Sequence, residues 1–521
     1  MNSKPRTPGT GRLGKPKCAS LLAIYVTVLC MSLTSSLSQA QVLLAPGLGD
    51  GSAKAVGAKK TERPKSTVIK IHGAAEPDPA IHYRFWPASE DRVNGNMMPF
   101  VSRAILMTSQ RLIERTGAGT FSGENEKWSK LSLSELPKDA VREMLSKKAY
   151  PALSELERAE NLMRIDYDLR PGELTPNELI QTLLPDLQQM RSVARLLSLR
   201  CRLAAAEGRW NDFARDCRLG FRLSEAAARS GDFLVSRLVG FAISGMMLGN
   251  IEEAMQQPGC PNLYWALVTI PVDHLFEIRE SLEFESALLT RLIDTKKLPN
   301  EPIGEVAARQ MIRQLSADAA ELLGVLSDDA GKFNSQFLSG LYVVSMADQA
   351  REDLEATEKW KGRAKDLSAA EAVLRSTRLR INRMKDDWLK WSLLPPELVG
   401  DYQKEIEQAM ETGAPNDILR TLVLQLTPAV MAAKRSGMRS RQYRNFLLTI
   451  EALRMHASVN GELPKKLDGL RPVPAWHDSL TQKPFEYLRT SPTTATLIRE
   501  ARHSGDKETN FEIQLTAEAA K

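Results

Sequence analysis

The chain has 521 residues, of which 43% are apolar and 26% charged. This composition is ample for hydrophobic cores and excludes a fully disordered protein, and the length predicts roughly two to four domains. The formal net charge is +6, but residues 1–40 hold five of the 70 Lys and Arg and none of the 64 Asp and Glu. The rest of the chain is therefore almost neutral, which gives no support to nucleic-acid binding.

The first 40 residues have the pattern of a secretory signal peptide. Basic residues precede a short apolar core, Leu21–Leu33, and Ser38-Gln39-Ala40 is a small-x-small cleavage site. We expect cleavage after Ala40 and an exported protein, in the periplasm or outside the cell. The apolar core is shorter than the roughly 20 residues of a membrane span. No span is expected after cleavage, and an uncleaved signal anchor is the alternative.

Residues 41–97 are expected to form a flexible linker followed by an extended segment with two short strands. Gln41–Ser66 is rich in Gly, Ala, Lys and Pro, which favours a flexible linker. Thr67–Ile71 (TVIKI) and Ala80–Pro87 (AIHYRFWP) are β-branched or aromatic and alternate, so each predicts a short extended strand.

From residue 98 to about 454 the pattern is almost entirely helical. Apolar stripes on both sides of Gly208 predict an antiparallel helical hairpin. The following helix, Phe233–Met255, is apolar on nearly all sides and is expected in the middle of a bundle. Its GMMLG motif, Gly245–Gly249, predicts close packing inside that bundle rather than a membrane dimer.

Three cysteines follow the leader. Cys201 and Cys217 lie on either side of the Gly208 turn, so an antiparallel hairpin places them opposite each other. Either a disulfide joins them or both are small core residues. Cys260 lies in QQPGCP, a proline-bracketed corner between helices, and the sequence around it offers little that would activate a thiol. We expect Cys260 to be a packing residue.

Two acidic groups are candidates for catalysis. Asp166 and Asp168 alternate in RIDYDL, so their carboxylates would point the same way on an extended chain, as an acid–base pair requires. Asp273, His274 and Glu277 lie at a predicted helix start, where positions three apart share a face. A solvated acidic surface explains both groups more simply.

The chain carries no cofactor or metal motif that we recognise. Its six histidines show no metal-ligand spacing. Phosphate-binding loops, dinucleotide-binding loops and serine-hydrolase elbows are also missing from the sequence. We therefore expect no metal and no cofactor.

Most of the mature chain, from IHYRFWP to FEYL, resembles an uncharacterised family of secreted bacterial helical proteins. The resemblance is carried by LLPDLQQMRSVARLLSLRCRLAAAEGRWNDFARDCRLGFRLSE, LVGFAISGMML and QQPGCPNLYWAL. It implies a secreted helical protein. It implies no activity, substrate or catalytic residue.

The segment Phe446–Thr490 resembles the globular module of type II secretion pseudopilins, in which a long helix leads through Asn-Gly into a hairpin with alternating aromatics. Ser479 stands where that module has proline and Gln482 where it has glycine, so its turn and calcium loop are not carried over. The N-terminus also lacks the pilin arrangement, so filament assembly is not implied. The matching residues are Asn460, Gly461, Pro464, Leu467, Leu470, Asp478, Pro484, Phe485 and Tyr487.

Together these patterns predict a mainly α protein, a helical bundle with hairpins similar to tetratricopeptide repeats and a small C-terminal α+β module. The leading functional hypothesis is a non-catalytic binding or scaffold protein that meets a protein partner in the cell envelope through helical surfaces. An envelope hydrolase and a secretion-system accessory are the alternatives. The expected organisation is a signal peptide (1–40), a linker (41–66), an extended segment with short strands (67–97), a helical domain (98–445) that divides, if at all, near 300 and 395, and a C-terminal module (446–521).

Overall fold

A computed structural model of the chain describes most of the residues after the expected linker. The predicted signal peptide and linker, residues 1–66, lie outside the described residues. Helices dominate and a small sheet lies at the C-terminal end, which confirms the expected fold class. The described residues are 67–113, 127–168, 176–231, 233–292, 298–314, 335–392, 394, 418–499 and 509–516.

The elements are numbered here in chain order. The helices are α1 (Met98–Ile113), α2 (Lys138–Met144), α3 (Tyr150–Ala159), α4 (Pro176–Ala206), α5 (Trp210–Ala228), α6 (Leu234–Met255), α7 (Tyr264–Val268), α8 (Val272–Phe276), α9 (Arg279–Leu292), α10 (304–314), α11 (Ser335–Glu355), α12 (Ala369–Ser392) and α13 (Ile418–Asn460). The strands are β1 (Thr67–Ile71), β2 (Val93–Asn96), β3 (Leu162–Arg164), β4 (Glu486–Arg489), β5 (Thr494–Arg499) and β6 (Thr509–Leu515).

Helices α4, α5 and α6 form the centre of the protein. The predicted hairpin is present: α4 and α5 pack together, and Gly208 makes the turn between them with φ +70°. Helix α6 packs on both of them and on α13. By length and composition α6 could cross a membrane, but 83% of its most apolar window is buried inside the protein. It is therefore a core helix, as its nearly uniform apolar surface predicts.

Close helix packing occurs at other glycines than the sequence predicted. A Cβ added at Gly249 of the GMMLG motif would meet no atom within 4 Å, so the prediction is wrong at that position. The close approach falls at Gly240 of the same helix, where an added Cβ would lie 2.8 Å from the Cβ of Ala228. The motif spacing alone did not distinguish the two because nearly every side of α6 is apolar.

Three hydrophobic clusters divide the buried residues. The largest joins α5, α6 and α7 to α13 and the C-terminal sheet, and a second joins α1, α2 and α3 to the outer side of α4 and α5. The third lies between α11 and α12 around Trp360, whose ring has the guanidinium of Arg375 4.5 Å from its centre. Glu371 pairs with Arg375 and accepts the backbone amides of Ile303 and Gly304 at the start of α10. Helices α10, α11 and α12 thus share a lobe with its own core.

The C-terminal sheet takes one strand from the other end of the described chain. Its order is β1-β6-β5-β4; β1 runs parallel to β6, whereas β5 is antiparallel to both β4 and β6. One face packs on α13, where the ring centre of Phe446 lies 4.5 Å from that of Phe511 and 5.9 Å from that of Phe485. The predicted strand Thr67–Ile71 is present, and its partner is the last described strand.

The second predicted strand, Ala80–Pro87, is wrong. These residues form turns and bends, and Phe85 and Trp86 are both buried although they are neighbours. Aromatic residues anchor this loop to the core, and their order in the sequence resembles the alternation of a strand. The first half of the chain instead has a short parallel pair, β2 with β3, that the sequence did not indicate.

The turn before β4 has Ser479 and Gln482 where the pseudopilin pattern has proline and glycine. Helix α13 ends at Asn460, and Gly461 follows with φ +70°. Gln482, which stands where the pseudopilin pattern has glycine, also adopts a left-handed conformation, with φ +57°. Asp478 supports the turn, because its carboxylate accepts the amide of Leu480 at 2.8 Å.

Candidate functional site

The acidic pair after β3 shapes a loop. Asp166 and Asp168 are both exposed, and Asn96 holds the backbone of Asp166 with two hydrogen bonds of 2.8 and 3.1 Å. The Asp166 carboxylate accepts the amide of Asp168 at 2.9 Å, and Asp168 has φ +48°. Tyr167 between them is part-buried, and its hydroxyl donates to Asp186. The Asp166 carboxylate is therefore engaged in a local turn rather than aimed at a cleft.

In the second acidic group, Asp273 and Glu277 both pair with one arginine, Arg441. Nη2 of Arg441 on α13 lies 3.2 Å from Oδ1 of Asp273 and 3.0 Å from Oε1 of Glu277. The carbonyl of His274 accepts a hydrogen bond from Arg237 of α6 at 3.2 Å. These residues fasten α8 to α13 and α6. A pocket beside Glu277 has a volume of about 20 Å³, which is room for little more than a water molecule.

The two acidic groups pack against different parts of the protein. Asp166 and Asp168 adjoin the cluster of α1, α3 and α4, whereas Asp273 and Glu277 face α13. Within the described ranges, no three His, Cys, Asp or Glu side chains gather at metal-binding distances.

Cys260 lies at a corner that is fixed to α13 by a buried ion pair. Arg454 and Glu451 are both fully buried and lie 2.7 Å apart. Arg454 also donates to the carbonyls of Cys260, at 2.6 Å, and of Pro261 and His72, each at 3.2 Å. Burial raises the pKa of the Cys260 thiol to about 12. A thiol in this state is a poor nucleophile, which agrees with its expected packing role.

The corner leads directly into a short helix whose outer side carries partly exposed aromatic residues. We call this region the α7 surface and define it by Tyr83, Trp265 and Trp476, with Glu76 and Arg444 as their polar neighbours. Trp265 lies on α7, where its ring packs edge-on against Tyr264 with centres 5.3 Å apart. The indole N–H of Trp265 donates to the exposed carboxylate of Glu76. The Trp265 ring is thus buried on one side and held at its polar tip.

Trp476 comes from a distant part of the chain to the same place. Its indole N–H donates to the hydroxyl of Tyr264 at 3.0 Å, and that hydroxyl donates to the carbonyl of Pro474 at 3.0 Å. The guanidinium of Arg444 lies 4.7 Å from the centre of the Trp476 ring. These contacts fix the orientation of a ring that remains partly exposed.

The loop of residues 72–88 crosses α7 and adds Tyr83. Two hydrogen bonds tie it to the helix, from Trp265 to Glu76 and from the amide of Phe85 to the Thr269 hydroxyl at 3.1 Å. Tyr83 lies between these attachments. The ring of His82 packs edge-on against Tyr83 with centres 4.6 Å apart, and neighbouring Ile81 is 44% exposed.

Arg444 supports the α7 surface from below. It is buried, and its Nε donates to the carbonyl of Leu267 at 3.0 Å. Burial, together with nearby Arg441, lowers the pKa of Arg444 to about 10. Its planar group is therefore positioned by backbone carbonyls and by the Trp476 ring, and the surface rests on a rigid base.

Sequence reasoning found only part of this surface. Tyr264 and Trp265 stand beside the corner in QQPGCPNLYWAL, but no local pattern connects them with Trp476 or Arg444. Trp476 and Tyr264 are 212 positions apart, and no local pattern announces a contact over that distance. A tryptophan between prolines near the predicted C-terminal hairpin was the one available signal.

The α7 surface offers flat aromatic rings, and the indole N–H groups of Trp265 and Trp476 already have partners. Searches against protein-family models, curated proteins and solved structures found no match for this chain.

Proposed function

We propose that this protein is exported and acts in the cell envelope as a non-catalytic binding or scaffold protein, which contacts a protein partner through the α7 surface. Export is supported by the signal-peptide pattern of residues 1–40. The observation that carries the binding function is the pair of partly exposed, fixed tryptophans, Trp265 and Trp476.

The residue types of the α7 surface favour recognition of another protein. Trp, Tyr and Arg are the residues most enriched among those that dominate binding energy at protein interfaces. Trp265 and Trp476 are partly exposed residues of this kind, Tyr83 is another on the neighbouring loop, and Arg444 lies buried beneath the ring of Trp476.

Fixed rings also lower the entropic cost of binding. A side chain that must be immobilised on binding costs roughly 0.5–1.5 kcal/mol. Hydrogen bonds already orient Trp265 and Trp476, and Arg454 fixes the corner before α7. The surface is therefore organised before a partner arrives.

Site-specific photo-crosslinking in producing cells tests the proposal. A photoreactive amino acid in place of Ile81, beside Tyr83, should give one discrete adduct with a protein of the envelope. Trp265→Ala should weaken that adduct at least about tenfold, as expected for a dominant contact. The matched control is Tyr150, an aromatic residue that is 61% exposed on α3. A probe there should not give this adduct, and Tyr150→Ala should leave the Ile81 adduct unchanged.

The melting temperature of each variant separates lost binding from lost folding. Absence of any adduct from position 81 would refute the proposal. The same holds for an adduct that persists in a folded Trp265→Ala variant.

A secretion-system accessory is the second candidate. The observation that favours it is the packing of the long helix α13 against the antiparallel strands β4, β5 and β6. A photoreactive residue at Leu488, which is exposed on β4, distinguishes the two. An adduct with a secretion component from position 488, and none from position 81, would favour this candidate.

A further inference from the structure

Two buried cysteines face each other within the central hairpin. The Sγ atoms of Cys201 on α4 and Cys217 on α5 lie 4.0 Å apart as separate thiols, and both side chains are fully buried. Ala205 and Ala214 belong to the same cluster, and small side chains let two helices approach closely. The two sulfur atoms are in van der Waals contact.

We infer that Cys201 and Cys217 form an intramolecular disulfide in the exported protein, and that Cys260 keeps a free thiol. A disulfide has a sulfur separation of about 2.05 Å, so the Sγ atoms must move about 2 Å closer. Both lie on facing helices and reach no other cysteine within the described chain. The inference rests on the export that we propose, because disulfides persist in oxidising compartments.

The reaction needs an oxidant, and a protein disulfide of the envelope is the class that fits. The thiolate of one cysteine attacks the oxidant's disulfide and forms a mixed disulfide, which releases one oxidant thiol. The thiolate of the second cysteine then attacks the sulfur of the first cysteine in this mixed disulfide, which forms the Cys201–Cys217 bond and releases the second oxidant thiol. Two electrons pass to the oxidant, and the two protons of the cysteines end on its thiols.

The folded structure indicates when this bond forms. Burial, and then the contact with Cys201, raise the pKa of the Cys217 thiol well above its ordinary value. The attacking thiolate is therefore scarce once the hairpin is packed. The bond forms while the exported chain is still folding, and it then belongs to the permanent structure.

Cys260 is kept apart from this pair by the fold. It lies at the corner before α7, where Arg454 binds its carbonyl and its thiol lies 3.4 Å from the carbonyl of Pro261. The hairpin cysteines lie on α4 and α5, where their sulfur atoms contact each other. The odd number of cysteines after the leader is thus resolved as one pair and one free thiol.

Thiol counting on the full chain tests the inference. Protein recovered from the envelope is quenched with acid, unfolded, and labelled with a maleimide polymer before and after reduction. We expect two more labels after reduction, whether or not the leader with its own cysteines remains. Cys217→Ser should abolish this difference, and Cys260→Ser should preserve it. Peptide mapping should then find Cys201 linked to Cys217, with a mass lower by about 2 Da than the reduced pair.

Oxidative refolding provides a test that does not depend on export. The reduced, unfolded full chain is refolded in a buffer of oxidised and reduced glutathione, and the linked peptides are mapped. Predominant pairing of Cys201 with Cys217 supports the inference, whereas pairing that involves Cys260 overturns it. Envelope protein with all three thiols labelled before reduction also overturns it. The crosslinking result at position 81 is independent of both outcomes.

Discussion

Replacement of Arg454 with methionine should lower the free energy of unfolding by about 3–5 kcal/mol. Arg454 is fully buried and pairs with Glu451, which is also fully buried. The change removes the cation that pairs with the buried carboxylate and also removes the donor from the carbonyls of Cys260, Pro261 and His72. Methionine is unbranched and similar in length, so little of the loss should come from a cavity.

The size of this loss of stability follows from the Glu451 carboxylate, which remains buried without its partner. Breaking a buried ion pair by removing one partner typically costs about 3–5 kcal/mol, because the other charge stays buried and unpaired. Replacing both partners by neutral groups is often nearly neutral. The double variant Glu451→Gln with Arg454→Met should therefore recover much of the stability lost by Arg454→Met alone.

The variant should also show a distinctive pH dependence. Burial already raises the pKa of Glu451 in the folded protein, and removal of Arg454 raises it further. A carboxyl group whose pKa is raised on folding contributes stability that is lost as pH rises. The deficit of Arg454→Met should accordingly be smaller at pH 5 than at pH 8.

Urea unfolding followed by tryptophan fluorescence measures these differences. The matched control is Arg441→Met, on the same helix, because Arg441 pairs with exposed Asp273 and with Glu277 at the surface. Exposed ion pairs contribute about 0–1 kcal/mol, so this variant should change little. Equal losses for Arg454→Met and Arg441→Met, or a double variant no more stable than Arg454→Met, would refute the reasoning.

Four further substitutions test other parts of the core. Gly240→Ala should destabilise the protein by roughly 1–3 kcal/mol, because the new Cβ would lie 2.8 Å from a side-chain carbon of α5. Gly249→Ala faces open space and should stabilise the protein by about 0.5–1 kcal/mol. Melting temperatures that shift in the same direction for both variants would contradict this. Burial raises the pKa of Glu285 from 4.5 to about 7, so the free energy of unfolding should fall by up to about 3 kcal/mol as pH rises through that window. Glu285→Gln should remove this pH dependence, as measured by urea unfolding at pH 5 and pH 8. Tyr443→Phe removes the 2.6 Å hydrogen bond to the buried carboxyl of Glu252 and should lower the free energy of unfolding by about 1–3 kcal/mol in the same assay. An unchanged unfolding midpoint would show that this hydrogen bond contributes little.

Local patterns predicted the helices well, because apolar periodicity directly reflects which side of a helix is buried. The α4–α5 hairpin and the mostly apolar α6 are examples. The same reasoning failed at Ala80–Pro87, where aromatic residues are buried by contact with distant helices and form no strand. A pattern of two or three alternating residues does not separate these cases.

The candidate site depended on contacts that the sequence does not encode locally. Trp476 reaches Tyr264, and Arg444 reaches Leu267, from far along the chain. The acidic positions that drew attention as sequence motifs, such as Asp166 and Glu277, instead take part in a loop turn and a surface ion pair. Short acidic motifs occur wherever a helix or loop meets water, so they are weak indicators of a site.

The pairing of β1 with β6 constrains the order in which the protein folds. The hydroxyl of Thr516 donates to the carbonyl of Ile71, a residue 445 positions earlier, and every β1–β6 contact spans a similar distance. Synthesis and any transport across a membrane deliver β1 early and β6 last. Contacts so distant in sequence form late and slowly, so the sheet against α13 stays open until almost the whole chain is present. Completion of the sheet thus requires that every segment between β1 and β6 has already been delivered.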